Sequence, residues 1–193
     1  MRIISGTHKG TKIIESFDKN TRPLKDLVKE SILNILEHSK DSRIELKNSL
    51  ILDLFSGTGS FGLECISRGA AKVYFVENYK QSLEILYKNI KKLKYEKKTT
   101  VFNKDAFSFF KTKEIKNEKL DLIFLDPPYK EENIEIILEN IVKLKLLKDS
   151  GLIVLHRHKK SKDNIDNKFN IKRSVKYGIS KIIFIQINWI IFS

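Results

Sequence analysis

Asp126-Pro127-Pro128-Tyr129 follows an apolar run from Leu120, so an acid, two prolines and an aromatic ring arrive together at the end of a strand candidate. In an open α/β sheet that edge is where ligands bind. The prolines stiffen the loop and hold the Asp126 carboxylate and nearby carbonyl oxygens in fixed directions. Tyr129 offers a flat face on which a base can stack. Such a set suits an exocyclic amine of a nucleobase, a poor nucleophile because its lone pair is delocalised into the ring. Acceptors from Asp126 and the Pro127 carbonyl that grip its two hydrogens favour a pyramidal nitrogen, ready for in-line attack. Proton loss to Asp126 or solvent can follow. Taken alone, the four residues also read as an ordinary tight turn.

About seventy residues upstream, Ile51 to Gly62 reads as strand, glycine turn and helix. Gly57, Gly59 and Gly62 match the dinucleotide fingerprint, and Glu77 stands twenty residues after Gly57, where an acid for ribose hydroxyls belongs. The pattern fits a nicotinamide dinucleotide as well as S-adenosylmethionine, since both carry an adenosine. Asp53 favours the second. An acid ahead of the glycines repels a pyrophosphate and suits a ligand bearing cationic ammonium and sulfonium groups, although it could simply cap the turn. With Asp126 to Tyr129 downstream, the two stretches together predict a bound methyl donor beside a base amine.

These residues need a scaffold, and the chain supplies one from Ser49 onward. Strand candidates Leu50–Phe55, Lys72–Glu77, Thr99–Asn103, Leu120–Asp126 and Gly151–His156 alternate with helical patterns at Phe61–Arg68, Gln81–Leu93, Ala106–Lys111 and Asn133–Leu144. That alternation predicts βαβ units and a mostly parallel sheet. Phe169–Tyr177 and Lys181–Asn188, either side of Gly178, read as a closing hairpin. The first 48 residues differ: Arg2–Ile4 and Thr11–Ile14 suggest a small hairpin. Thr21-Arg22-Pro23 then opens a helix to about Glu37, with Leu24, Val28, Ile32 and Leu36 on one face.

At 193 residues the chain is expected to form one domain, or one with a small appendage. One cysteine, Cys65, rules out an internal disulfide and fits a reducing, cytoplasmic setting. No secretory leader is visible. The longest apolar stretch, Ile182 to Phe192, is broken by Gln186 and Asn188 and is about half of the ~20 residues a membrane span needs. A net charge of +13 points to a polyanionic partner, although a lysine- and isoleucine-rich composition can also follow from AT-rich coding DNA. His156 and His158 have no third ligand nearby, so no metal is expected. Cys65 reads as a core residue, and Lys88 to Lys98 as a solvated helix end.

Taken together, Arg2-Ile-Ile-Ser-Gly, Lys9-Gly10, Thr21-Arg22-Pro23, Asp26-Leu-Val28-Lys-Glu30, Asp53-Leu-Phe-Ser-Gly-Thr-Gly, Gly69-Ala70-Ala71, Asp126-Pro-Pro-Tyr and Tyr177-Gly178 resemble the RsmD family of bacterial 16S ribosomal RNA guanine-N2 methyltransferases over nearly the full length. The resemblance implies an α/β, class I S-adenosylmethionine-dependent methyltransferase (Rossmann-like) fold. Its seven-stranded, mostly parallel sheet would end in an antiparallel C-terminal hairpin, with a small N-terminal hairpin-helix extension. Residues 1–48 would be an RNA-binding extension and 49–193 the methyltransferase domain. Asp53, Ser56, Gly57 and Gly59 would surround the methionine and ribose parts of S-adenosylmethionine, with Glu77 on the ribose hydroxyls and Asp105 and Ala106 at the adenine. Asp126, Pro127, Pro128 and Tyr129 would hold the target guanine, and Arg2, Lys9, Arg22, Lys25 and Lys29 would grip RNA. The partner implied is 16S rRNA in the small ribosomal subunit, met by a monomer.

Departures from the family pattern are Leu27 at an often basic position, Thr7-His8 in place of an aromatic-basic pair, and His156 at an often acidic one. Three rivals stand beside this expectation: an adenine-N6 methyltransferase on RNA or DNA, a silent RNA-binding assembly factor, and, remotely, a nicotinamide-linked oxidoreductase. Fold alone does not choose the base.

Overall fold

Each apolar run is a strand whose successive side chains enter opposite layers. In the computed structural model, which describes residues 1–16, 18, 24–111, 115 and 118–189, seven strands form one sheet: β1 (Leu50–Leu54), β2 (Lys72–Glu77), β3 (Thr99–Asn103), β4 (Leu120–Leu125), β5 (Leu147–His158), β6 (Phe169–Tyr177) and β7 (Ser180–Ile187). Their order is β3-β2-β1-β4-β5-β7-β6. Neighbours from β3 to β5 pair in parallel, and β7 runs antiparallel to both β5 and β6. The helices are α1 (Asp26–His38), α2 (Ser60–Ser67), α3 (Lys80–Leu93), α4 (Ala106–Phe109) and α5 (Ile134–Lys143).

Period-two alternation divides the core into two layers. Ile51, Phe75, Leu122 and Val154 point into one cluster with Ile32 of α1, Phe61 of α2 and Leu86 of α3. Leu52, Val76, Ile123 and Leu155 point into the other, with Phe109 of α4 and Ile137 of α5. Burial on both faces is why these strands read as continuous apolar runs. Strand order reverses between β1 and β4, the switch point at which an α/β sheet opens a crevice beyond its carboxyl ends.

The glycine turn lets α2 start close to β2. Gly59 caps α2 at φ +81°, a left-handed conformation that suits glycine. A Cβ on Gly62 would lie 2.4 Å from Phe75 Cε1, so the third glycine of the motif is needed for helix-to-strand packing.

The structure modifies the reading in three places. β5 begins at Leu147 rather than Gly151. The expected N-terminal hairpin is a single antiparallel bridge, Arg2 to Lys12, around a 3₁₀ turn at Gly6–His8. The amides of Ile4 and Ser5 donate instead to the buried Glu64 carboxylate, at 2.6 and 2.8 Å, and so leave the ladder. Thr21-Arg22-Pro23 lie outside the described residues, and α1 starts at Asp26. Ile3, Ile13 and Val28 share a hydrophobic cluster with the sheet, so the first residues pack onto the same core. Among the described residues, no helix is long and apolar enough to cross a membrane.

Candidate functional site

A cavity of about 500 Å³ opens at the carboxyl ends of β1, β2 and β4. Asp53 reaches it from β1, Glu77 from the end of β2, and Asp126 to Tyr129 from the loop after β4. The chain leaves β1 through Phe55 at φ +61°, a left-handed conformation uncommon outside glycine, and Phe55 lines the cavity. Ser56 is tied to β2 by its amide, which donates to the Val76 carbonyl at 3.1 Å.

The carboxylates are held differently. Asp53 is 1% exposed and accepts one amide, from Gly62 at 3.0 Å. Burial pushes its carboxyl well above the usual range; the Gly62 amide opposes that rise, and the charges of Asp126 and Glu77 add to it. A buried acid in this state favours a cationic neighbour, which would stabilise its ionised form. Glu77 accepts from Gly57 N at 2.7 Å on one oxygen, and from Asn78 N and Tyr79 N at 2.9 and 2.8 Å on the other. A carboxylate has about four acceptor directions, so Glu77 retains capacity for a ligand hydroxyl. This donor set fits S-adenosylmethionine: Asp53 would face its cationic groups and Glu77 its ribose.

Residues given no part in the site by the sequence brace the Asp126 loop. His156 Nδ1 lies 2.8 Å from Asp126 Oδ1, and its Nε2 lies 2.8 Å from Ser180 Oγ on β7. Arg157, 3% exposed, donates to the carbonyls of Pro128 and Glu131 at 3.3 and 2.5 Å and pairs through Nε with Asp163 at 2.7 Å. The guanidinium fork thus fixes the backbone just beyond the prolines. The Tyr129 ring meets His158 edge-on at 4.9 Å. The signal for His156 is strand register: Leu125 pairs with Leu155, so residues 126 and 156 fall on the next rung.

Of the expected cofactor residues, Asp53, Ser56, Gly57 and Glu77 meet in this cavity with Asp126, Pro127, Pro128 and Tyr129. Gly59 shapes the turn without lining it. Asp105 and Ala106 stand apart. Asp105 is exposed and caps α4, its Oδ1 accepting from Phe107 N and Ser108 N at 3.0 Å each. It lines a separate recess between α4 and α5, and Ala106 is buried.

Arg2, Lys9 and Lys25 are exposed, while Arg22 lies outside the described residues. Lys29 is a correction. It is fully buried, its ammonium donating to the Arg2 carbonyl at 2.9 Å and Ser60 Oγ at 3.2 Å, with Glu64 3.7 Å away. Desolvation lowers its pKa against the pull of Glu64 and Asp26. It ties the first residues to α2 and cannot reach a phosphate. Lys29→Met is expected to cost roughly 2 kcal/mol by leaving the Arg2 carbonyl unpaired, read from urea melts, without changing the salt dependence of nucleic-acid binding. Arg2→Ala, in contrast, would lower that salt slope by about one. The departure at Thr7-His8 also serves packing, with His8 Nδ1 2.7 Å from the Tyr95 hydroxyl. Among the described residues, no three His, Cys, Asp or Glu side chains group to hold a metal.

Known proteins resemble the chain in sequence and in fold. A family model described as "Conserved hypothetical protein 95" matches residues 1–186. The chain is 34% identical over 154 residues to the Bacillus subtilis protein named "Putative rRNA methyltransferase YlbH", covering 80% of each. It is 34% identical over 164 residues to "Ribosomal RNA small subunit methyltransferase D" of Haemophilus influenzae, covering 82% of this chain and 79% of the relative. A solved structure, "Putative methyltransferase yhhF from Escherichia coli", superposes with a TM-score of 0.80 at 26% identity over 97% of each chain. The fold is that of class I methyltransferases.

Proposed function

The chain belongs to the Conserved hypothetical protein 95 family, the RsmD-type methyltransferases, and from that membership we propose that it uses S-adenosylmethionine to methylate the exocyclic N2 of a specific guanine in 16S ribosomal RNA. The observation that carries this reading is the shared cavity: Asp126-Pro127-Pro128-Tyr129 opens into the same space as Asp53 and Glu77. A methyl donor and a base amine can therefore be held side by side.

When bound, S-adenosylmethionine supplies a methyl carbon to which the amine lone pair bonds as the sulfur–carbon bond breaks. The chain's own residues do the positioning. Asp53 balances the cationic end of the donor, and Glu77 takes the ribose hydroxyls. Asp126 and the Pro127 carbonyl accept the hydrogens of the target amine, aiming its lone pair, and Tyr129 offers a face for the base. The proton lost from nitrogen passes to Asp126 or to water. The base must leave its stack to enter, which favours a loop on the assembled small subunit as substrate. Arg2, Lys9 and Lys25 on the N-terminal segment supply phosphate contacts, in keeping with the net charge of +13.

The test is transfer of label from S-adenosylmethionine to unmodified small subunits, naked 16S RNA and duplex DNA, with the product nucleoside identified by mass spectrometry. N2-methylguanosine from subunits is the expected result. N6-methyladenosine would retain the site and overturn the substrate. Cofactor binding with no label on any of the three would favour a silent assembly factor.

A further inference from the structure

We propose that His156, backed by Ser180, is the positioning residue for Asp126: its Nδ1–H donates to Asp126 Oδ1 and fixes the direction in which the carboxylate is presented to the cavity. The assignment of a catalytic purpose rests on the reading of Asp126 given above. The hydrogen bond itself does not depend on that reading.

Parallel pairing of β4 with β5 sets Leu125 beside Leu155 and so brings Asp126 and His156 abreast. His156 is 1% exposed and Ser180 5%, whereas the Asp126 side chain keeps 13% of its surface at the cavity. The ring is held at both nitrogens, 2.8 Å from Asp126 Oδ1 and 2.8 Å from Ser180 Oγ. An ionised carboxylate only accepts hydrogen bonds, whereas a serine hydroxyl can donate or accept. The proton must therefore be on Nδ1, whatever Nε2 carries. A carboxylate on a single Cα–Cβ–Cγ lever can otherwise rotate about its last torsion, which is broad. A donor seated on Oδ1 stops that rotation. It also commits Oδ1 to the ring, so the carboxylate keeps one orientation at the cavity. Misplacement by about 1 Å can cost on the order of 10²-fold in rate. His156 touches no substrate in this arrangement and acts only through Asp126.

Two variants of the full-length protein separate this role from simple packing. His156→Leu removes the donor, and kcat is expected to fall about 30-fold, with the dissociation constant for S-adenosylmethionine and KM for RNA unchanged. His156→Asn restores an N–H near Nδ1 and should stay within about threefold of the parent. Full kcat in His156→Leu, or an equal loss in a folded His156→Asn, would overturn the proposal. A readout independent of activity and of those variants' folding is long-range ¹H–¹⁵N spectroscopy of histidine-labelled parent protein. A proton on His156 Nδ1 is expected, and a ring protonated on Nε2 alone would sink the idea. If the parent methylates no guanine but Nδ1 carries the proton, the functional reading fails and the hydrogen bond stands.

Discussion

Replacing Asp126 by alanine is expected to lower kcat about 10³-fold while S-adenosylmethionine still binds within about threefold of its parent affinity. The two effects separate because Asp126 reaches the cavity from the loop after β4, whereas Asp53 and Glu77 enter from β1 and β2. Alanine leaves the amine one acceptor short at the moment its lone pair must be aimed. Asparagine should be nearly as damaging. With His156 donating to its oxygen at the Oδ1 position, the asparagine NH₂ would face the substrate amine, donor against donor. Single-turnover transfer with saturating donor, beside calorimetric binding of that donor, makes the measurement. Retained turnover in either variant would remove Asp126 from the chemistry.

Asp53→Asn should have the opposite profile: donor binding weakened about 10²-fold, equal to the loss of roughly 3 kcal/mol, and an unliganded protein that melts higher at neutral pH. Asparagine can still accept the Gly62 amide, so the turn is retained. The sign follows from the raised carboxyl, which burial drives up and the charges of Asp126 and Glu77 raise further, against the Gly62 amide. A carboxyl raised on folding keeps its full contribution to stability below its unfolded value of about 3.9. That contribution is lost as pH rises from there through the raised folded value, and is flat above it. A cation bound beside Asp53 favours the carboxylate, so binding expels a proton wherever Asp53 remains protonated. Affinity should rise with pH through that window and then level. Calorimetry in two buffers of different protonation enthalpy would show proton release in the parent and none in Asp53→Asn. Equal donor affinity in both proteins would exclude Asp53 from the cationic end.

Much of the fold is legible in the sequence. β2 matches the strand read from its β-branched run because burial on both faces leaves an unbroken apolar signature, and β3, a half-buried edge strand, matches through the β-branched Thr99, Thr100 and Val101. The start of β5 was missed because Lys148, Asp149 and Ser150 look like loop residues. Backbone pairing beside β4, with its register shift between Leu120 and Leu122, carries the strand through them. Lys29 was misread by type. It lies three and four residues before Ile32 and Leu33, on the buried stripe of α1, whereas Leu27 is 69% exposed on the other side. Asp105, which the resemblance assigns to the adenine, caps α4 through one carboxylate oxygen and lines a recess separate from the cavity that Asp53 and Glu77 share. His156 stands out in the sequence as a departure from the family pattern, but its role does not, because its partner is set by strand register and no motif records that.

The placement of β7 between β5 and β6 orders the maturation of the molecule in time. β6 and β7 pair with each other across a short turn, a local event on the order of 1–10 μs. The pairing of β7 with β5 is the step that joins this hairpin to the parallel sheet. Ser180, the first residue of β7, is 24 positions beyond His156. At roughly 5–20 residues per second of synthesis, the two are made about 1–5 s apart. A nascent chain therefore has Asp53, Glu77 and Asp126 available well before the support behind Asp126 has been synthesised. The groups proposed to bind the donor come first, and the support behind Asp126 comes last, when the hairpin closes the sheet.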